Sequence, residues 1–216
     1  MASAEAELLA RANKLAGSTL ADVAAATGNP VPLDLRKAKG WIGELLECAL
    51  GATAGSRPVP DFPELGIEMK TLPVGRNGRA RESTFVCTAT VRGGHTETWE
   101  NSPVRAKLNR MLWIPVDADP ERPLAQRRLG RPFLWSPCAA EESVLRNDWE
   151  EIMDMIAIGE LAAISSEMGT WLQLRPKAMH GSARTTTFDE NGVPTKTLPR
   201  GFYLRAAFTN RLLGHG

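Results

Sequence analysis

The chain has 216 residues, which is enough for one domain or two closely packed lobes with a buried core. Its 43% hydrophobic and 24% charged residues are typical of a soluble globular protein, and its formal net charge of +1 does not by itself indicate nucleic-acid binding. No apolar run approaches the roughly 20 residues of a membrane span, and charges interrupt the N-terminal stretch. We therefore predict a cytoplasmic protein.

Hydrophobic periodicity and cap residues predict the elements of the first half. Three helices are expected, over residues 4–16, from Ser18 or Thr19 to Gly28, and from about Leu35 to Leu50. A strand over residues 66–72 should be followed by a hairpin turn at 76–79 and a returning strand over 83–91.

The second half is predicted to begin with a helix that Ser102 caps and Pro103 opens. The remaining predicted elements are short strands at 113–116 and 133–135, a helix over 141–164, a strand over 171–174, a mobile polar loop over 178–196 and a helix within 203–213. Residues 139–167 carry eight acids and one base, whereas residues 169–216 carry seven bases and two acids. This imbalance suggests that one face meets a polyanion, although a solvated acidic helix explains the acidic part equally well.

One segment combines the residue types needed for phosphodiester hydrolysis. Asp61 lies in a proline-bounded loop before the predicted strand, and Glu68 and Lys70 are two residues apart on that strand. Because side chains alternate across a strand, Glu68 and Lys70 share one face, while Ile67 and Met69 point to the core. Two such carboxylates favour a hard cation such as Mg²⁺, which polarises a phosphate and lowers the pKa of a bound water. Lys70 can orient that water and stabilise the developing charge.

Two further residues are candidates for the same centre. Glu47 lies among apolar neighbours on the third predicted helix, and Lys107 lies on the helix after Ser102. The alternatives are a solvated helix glutamate, which Glu44 fits better, and an ordinary surface lysine. The acid-x-Lys pattern at residues 68–70 occurs once in the chain, and a surface ion pair on an exposed strand face would also explain it.

Long ordered blocks of the sequence resemble a known family. The blocks are KGWIGELLE (39–47), GATAGSRP (51–58), GIEMKTLPV (66–74), ESTFVC (82–87), TWENSPVRAKLNRMLWIPV (98–116), PLAQRRLGRPFLWSP (123–137), DWEEIMDMI (148–156), QLRPKA (173–178) and TLPRGFYL (197–204). They span nearly the whole chain and resemble the MutH family, the strand-discriminating endonucleases of methyl-directed mismatch repair. Residues 178–196 and the tail after Leu213 depart from the family pattern.

The resemblance implies an α/β (α+β) fold of the restriction-endonuclease-like PD-(D/E)xK class, with a mixed central sheet flanked by helices and two lobes around a DNA-binding cleft. Residues 1–216 would form a single endonuclease domain. Its N-terminal lobe, about 1–100, would carry the catalytic strand, and its C-terminal lobe, about 101–216, the DNA-recognition elements.

The resemblance also implies an activity and its partners. The expected enzyme requires Mg²⁺ and nicks the unmethylated strand 5′ of the G in hemimethylated GATC. It acts on duplex DNA as a monomer, and MutL, recruited by mismatch-bound MutS, activates it.

The family's functional positions map onto individual residues of this chain. Asp61, Glu68 and Lys70 fall on its catalytic motif, with Asp61 and Glu68 as metal ligands. Glu47 falls on an additional acidic residue and Lys107 on an additional catalytic lysine. The positions that match DNA-contacting residues are Lys39, Gly40, Phe85, Arg175, Pro176 and Tyr203. Arginine can read guanine O6 and N7, and an aromatic edge can sense a methyl group on adenine N6.

Two other functions fit parts of the pattern. A GATC-specific restriction endonuclease would cut both strands, but the single motif copy and the absence of an internal repeat favour nicking. A non-catalytic DNA-binding module on a nuclease fold would be expected to have lost an acid or the lysine, and all are present.

Overall fold

The computed structural model describes residues 3–34, 40–55, 57, 59–91, 97–177 and 184–214. The helices, in chain order, are α1 Ala4–Leu15, α2 Leu20–Thr27, α3 Trp41–Leu50, α4 Pro103–Leu108, α5 Ala139–Ala157 and α6 Ala206–Leu212. The strands are β1 Glu68–Val74, β2 Thr84–Thr88, β3 Met111–Asp117, β4 Phe133–Trp135, β5 Leu172–Pro176, β6 Thr185–Phe188, β7 Pro194–Thr197 and β8 Arg200–Leu204. None of these helices is long and apolar enough to cross a membrane.

The chain divides into two compact units. Unit 1 comprises Met1–Arg81 and Lys107–Ser136, and unit 2 comprises Glu82–Ala106 and Pro137–Gly216. The chain therefore changes unit three times, whereas the sequence suggested one division near residue 100. The chain re-enters unit 1 at Lys107 because β3, which follows, pairs with β1.

The first two helices of unit 1 follow their cap residues. The Ser3 hydroxyl accepts a hydrogen bond from the Ala6 N–H at the start of α1 (3.2 Å). Thr19 and Asp22 form a reciprocal capping box at the start of α2, which ends at Gly28 with a left-handed φ of 70°.

The third helix is shorter than the sequence suggested. It begins at Trp41, because its N-cap Gly40 has a φ of 89°, which lies outside the α-helical region. Residues 35–39, where the helix was expected to start, lie outside the described residues. Gly51, with a φ of 75°, ends the helix as predicted.

The sheet of unit 1 is mixed, as the resemblance implied. β1 runs parallel to β3 with Glu68 opposite Met111 and Lys70 opposite Trp113, and β4 runs antiparallel to β3. One side of β1 and β3 packs on the three N-terminal helices. The buried residues of this core are Leu8, Ala12, Leu20, Val23, Ala24, Leu45, Leu46, Leu50, Phe62, Ile67, Met69, Leu112, Ile114, Val116 and Leu129.

The predicted hairpin between β1 and β2 is wrong as a strand pairing. A tight turn is present, because the Gly75 N–H donates to the Arg79 carbonyl (2.9 Å). However, β2 belongs to unit 2 and pairs antiparallel with β8. The local turn signal was correct, but the partner of β2 lies more than a hundred residues further along the chain.

β8 is the central strand of unit 2, in a sheet of order β2-β8-β5. The sequence reading did not predict it, and placed only a terminal helix in this region. Its apolar alternation is short, because Arg200 and Gly201 occupy the first two positions and leave Phe202 and Leu204 as the residues buried on one side. A pattern of two residues is too short to identify a strand.

Two further predictions for unit 2 are corrected. α5 ends at Ala157 rather than at 164, because Gly159 has a φ of 84°, which lies outside the helical region. A side chain would not fit at this position, since a Cβ atom there would lie 2.3 Å from the Asp189 carbonyl carbon. Part of the supposed mobile loop 178–196 is the β6-β7 hairpin, whose turn is closed by the Asp189 carboxylate accepting from the Val193 N–H (2.8 Å). Residues 178–183 lie outside the described part of the chain.

Two sets of polar interactions fix the segment that leads into β5. The Asp148 carboxylate accepts hydrogen bonds from the N–H groups of Thr170, Trp171 and Leu172, at 2.7–2.8 Å. The Arg205 guanidinium donates to the carbonyls of residues 166, 168 and 169. Together these contacts hold the start of β5, and hence the strand that carries Arg175.

Candidate active site

Glu68 is the buried carboxylate at the start of β1. Its side chain is 1% exposed, and on the opposite side of the strand Ile67 and Met69 belong to the core. An ion pair on an open strand face is therefore excluded as the explanation of the acid-x-Lys pattern. Burying an ionised carboxylate is costly unless cations and hydrogen bonds compensate for the lost water.

Two lysines supply that compensation. Glu68 Oε1 accepts from Lys70 Nζ at 2.5 Å and from Lys107 Nζ at 2.7 Å, and both lysine side chains are about one-fifth exposed. The second oxygen, Oε2, is buried and has no hydrogen-bond partner among the described residues. One oxygen of the carboxylate is thus doubly paired, while the other still needs a ligand.

Asp61 is held beside Glu68 by the backbone. Main-chain bonds between Phe62 and Ile67 (2.9 and 3.3 Å) close the loop between them, and Asp61 Oδ2 accepts from the Met69 N–H at 2.8 Å. Burial, together with the nearby negative charge of Glu68, raises the pKa of Asp61 above its ordinary value. The pKa of Asp61 is raised despite the hydrogen bond to its charged form, because burial and the charge of Glu68 together outweigh that bond.

Glu47 joins this region from α3. Burial raises its pKa, the charge of Asp61 raises it further, and Lys70 acts in the opposite direction. Its neighbour Glu44 is exposed and is the solvated helix glutamate, as predicted. The half-buried Glu47 therefore belongs electrostatically to the same cluster as Asp61 and Glu68.

Lys107 reaches the cluster from the end of α4. The Ser102 hydroxyl accepts from the Arg105 N–H (3.0 Å) and caps the helix that Pro103 opens, as predicted. All five residues predicted for the centre, namely Asp61, Glu68, Lys70, Glu47 and Lys107, therefore lie in unit 1, and each interacts electrostatically with other members of the set.

The arrangement fits a magnesium ion. Mg²⁺ is usually held by one or two carboxylates together with waters and substrate phosphates. Glu68 Oε2 lacks a partner, and the neighbouring Asp61 carboxylate is destabilised as an anion, so a cation bound there would compensate both. Among the described residues, no group of three or more His, Cys, Asp or Glu side chains is placed to hold a metal ion.

The predicted DNA-contacting residues of unit 2 meet on the sheet β2-β8-β5. Phe85 and Tyr203 are cross-strand partners whose rings make an edge contact, with centroids 5.3 Å apart. The Arg175 guanidinium lies over the Tyr203 ring at 5.7 Å, and Pro176 follows it, exposed, at the end of β5. These residues thus lie side by side across three strands.

Two predicted DNA-contacting residues are elsewhere. Gly40 caps α3 in unit 1, and Lys39 lies outside the described residues. Sequence analysis also missed Lys177, whose Nζ lies 4.8 Å from the centroid of the Phe85 ring. Lys177 stands two residues after Arg175, just beyond the strand predicted over 171–174, and in an extended chain such residues point to the same side.

The mixed sheet with helices on one side and acidic and lysine side chains at the start of β1 places the chain in the restriction-endonuclease-like class of α/β proteins. A sequence model described as "DNA mismatch repair enzyme MutH" matches residues 50–148. A protein of Vibrio vulnificus strain YJ016 named "DNA mismatch repair protein MutH" is 54% identical over 97% of this chain and 92% of its own length. Proteins of the same name from Vibrio cholerae strain O395 (96% and 94% covered) and Serratia proteamaculans strain 568 (97% and 92% covered) are 54% and 52% identical. The chain belongs to the MutH family of mismatch-repair endonucleases.

Proposed function

We propose that the protein is a magnesium-dependent endonuclease that nicks the unmethylated strand at hemimethylated GATC sites. The observation that carries the proposal is the buried Glu68, one oxygen of which binds two lysines while the other has no partner. Such a carboxylate suits a centre that binds a cation together with a phosphate, because lysines and metal can then surround the same phosphate group.

The protein residues of the centre have distinct tasks in this proposal. Asp61 and Glu68 hold the ion, and the Met69 N–H fixes the orientation of Asp61. When bound, Mg²⁺ supplies a polarised phosphate and a water of lowered pKa. Lys70 orients the attacking water, and Lys107 stabilises negative charge on the phosphate oxygens. Glu47 adds negative charge beside Asp61, which favours binding of the cation.

Unit 2 supplies site recognition in this proposal. Arg175 reads a guanine through O6 and N7, while Phe85 and Tyr203 contact the adenine edge. A methyl group on adenine N6 adds bulk and removes one donor hydrogen, so a close contact there would disfavour the methylated strand. Pro176, Gly40 and Lys39 complete the proposed contacts to duplex DNA.

The proposal includes a partner and a cellular setting. We infer that the protein works in the cytoplasm as a monomer and that MutL activates it after recruitment by mismatch-bound MutS. The names of the similar proteins, "DNA mismatch repair protein MutH", support a role in this repair process.

The test is nicking of a plasmid with one hemimethylated GATC site, with Mg²⁺ and with or without MutL. We expect slow nicking of the unmethylated strand alone, acceleration by MutL and loss of activity in EDTA. Rapid double-strand cleavage without MutL would indicate a restriction endonuclease instead. Binding without cleavage under every condition would indicate a non-catalytic module.

A further inference from the structure

The ring of Phe85 lies directly against Gly201 on the neighbouring strand β8. A Cβ atom at position 201 would come within 2.8 Å of Phe85 Cε2, 3.4 Å of Cδ2 and 3.2 Å of the Cys87 carbonyl oxygen. A separation of 2.8 Å between two carbon atoms is well inside van der Waals contact, which begins near 3.5 Å. Any residue other than glycine would therefore push the ring away.

Backbone conformation does not explain this glycine. Gly201 is not among the glycines with positive φ, and it lies within a regular strand whose conformation other residues adopt readily. Glycine within a strand weakens it, because it contributes backbone entropy to the unfolded chain and packs no side chain. The structural reason for glycine here is the space that the Phe85 ring occupies.

Other contacts hold the ring against Gly201. The Tyr203 ring meets it at an interplanar angle of 63°, and Lys177 Nζ lies over its face while also donating to Thr88 Oγ1 (3.2 Å). Phe85 pairs with Tyr203, so Gly201, two residues before Tyr203 on β8, is its diagonal neighbour on the adjacent strand. The aromatic pair is thus preassembled by its own unit.

We propose that Gly201 is a positioning residue for methylation-sensitive DNA recognition. It lets the Phe85 ring lie across β8, where the ring contacts Tyr203 and so orients the Tyr203 ring over which Arg175 lies. The proposal rests on the proposed function, and its ligand is the adenine edge of the GATC duplex. Gly201 touches no DNA in this proposal and acts only through Phe85.

The experiment is a double-variant cycle of Gly201→Ala and Phe85→Leu. Binding to unmethylated and fully adenine-methylated GATC duplexes is measured without divalent cations. The Kd for methylated DNA divided by the Kd for unmethylated DNA is then compared among the variants. Gly201→Ala alone should lower this ratio by about tenfold, a typical coupling between residues in contact. In the Phe85→Leu background, which lacks the Cε2 atom, the same substitution should change the ratio by less than about twofold.

Gly130→Ala is the matched control. A Cβ at Gly130 would also come within 2.8 Å of a carbon atom, Pro115 Cβ, and Gly130 also lacks a positive φ, but it lies in unit 1. This variant should lower the unfolding temperature without changing methyl discrimination.

Two outcomes would overturn the proposal. One is an unchanged ratio in Gly201→Ala. The other is an equal loss of methyl discrimination when Gly201→Ala is made in the Phe85→Leu background, which would attribute the effect to the Cys87 carbonyl and the strand itself. A wild-type protein with no preference for unmethylated DNA would contradict the proposed function instead, so the two failures are distinguishable.

Discussion

The two units use positive charge in different ways. In unit 1, Lys70 and Lys107 both donate to a carboxylate that is almost inaccessible to water. In unit 2, Arg175 and Lys177 lie over aromatic rings. An ion pair neutralises a cation, whereas an aromatic face holds a cation and leaves its charge uncompensated. Unit 1 is therefore organised around balanced buried charge, and the sheet of unit 2 keeps positive charge for a polyanion.

The largest effect is expected from a substitution that removes the buried charge of unit 1. Glu68→Ala should lower the nicking rate by about 10³-fold or more, because it deletes a proposed metal ligand and the partner of both lysines. DNA binding should persist, because the contacts of unit 2 remain. Single-turnover nicking and a binding assay test this, with the exposed Glu44→Ala on α3 as the control. Equal loss of binding would mean that recognition also depends on Glu68.

A structural carboxylate in unit 2 provides the contrast. Asp148→Ala should lower the free energy of unfolding by about 3 kcal/mol, because three N–H groups ahead of β5 lose their acceptor. Urea denaturation measures this, and Asp154→Ala, an exposed change on the same helix, should leave the midpoint nearly unaltered.

Arg175→Ala tests the recognition side of the comparison. We expect a loss of about 1–3 kcal/mol in binding and weaker discrimination at one base pair. The increase in unfolding temperature expected with Mg²⁺ should remain, because the proposed metal ligands Asp61 and Glu68 are untouched. Competition binding with duplexes altered at each GATC position measures the first effect. Equal weakening on every sequence would instead indicate a phosphate contact.

Asp61→Asn tests whether the buried carboxylate beside Glu68 destabilises the metal-free protein. The pKa of Asp61 is raised, so its ionised form is disfavoured by folding at neutral pH. A neutral asparagine keeps an oxygen for the Met69 N–H. We expect the metal-free variant to be more stable than the wild type, while it loses nicking activity and stabilisation by Mg²⁺. Thermal unfolding with and without Mg²⁺ decides, and a less stable metal-free variant would contradict the argument.

The smallest expected effect concerns Arg200, at the start of β8. Its Nε atom is buried without a hydrogen-bond partner among the described residues, and burial lowers the pKa of its guanidinium. Because burial disfavours the charged form, Arg200→Met should stabilise the protein. We expect less than about 1 kcal/mol, because water screens the accessible end of the side chain. A lower urea midpoint would show that Arg200 contributes more to packing than its unsatisfied donor costs.

Local patterns predicted what lies close together along the chain. The caps of α1, α2 and α4 and the shared face of Glu68 and Lys70 depend on residues only two to three positions apart. The interaction of Lys107 with Glu68 depends instead on the parallel pairing of β1 and β3 across some forty residues. No periodicity encodes that pairing. Only the resemblance to a family therefore favours Lys107 as a residue of the centre over Lys107 as an ordinary surface lysine.

The same limit explains the errors. The segment 76–79 has the residues of a tight turn, and the turn forms, but turn residues do not determine which strand β2 joins. The sequence does not single out Gly201, because a glycine beside an arginine interrupts the strand pattern. Its importance lies in the ring that occupies its missing side chain, which only the three-dimensional structure reveals.

The return of the chain from unit 2 to unit 1 also has a consequence during synthesis. A nascent chain that has emerged only as far as Lys70 lacks Lys107 and the parallel neighbour of β1, which a ribosome adds on the order of seconds later. Glu68 then has one lysine instead of two, and β1 has no strand to pair with. Truncated translation products ending before residue 107 therefore contain the acidic motif but lack both Lys107 and the strand that pairs with β1.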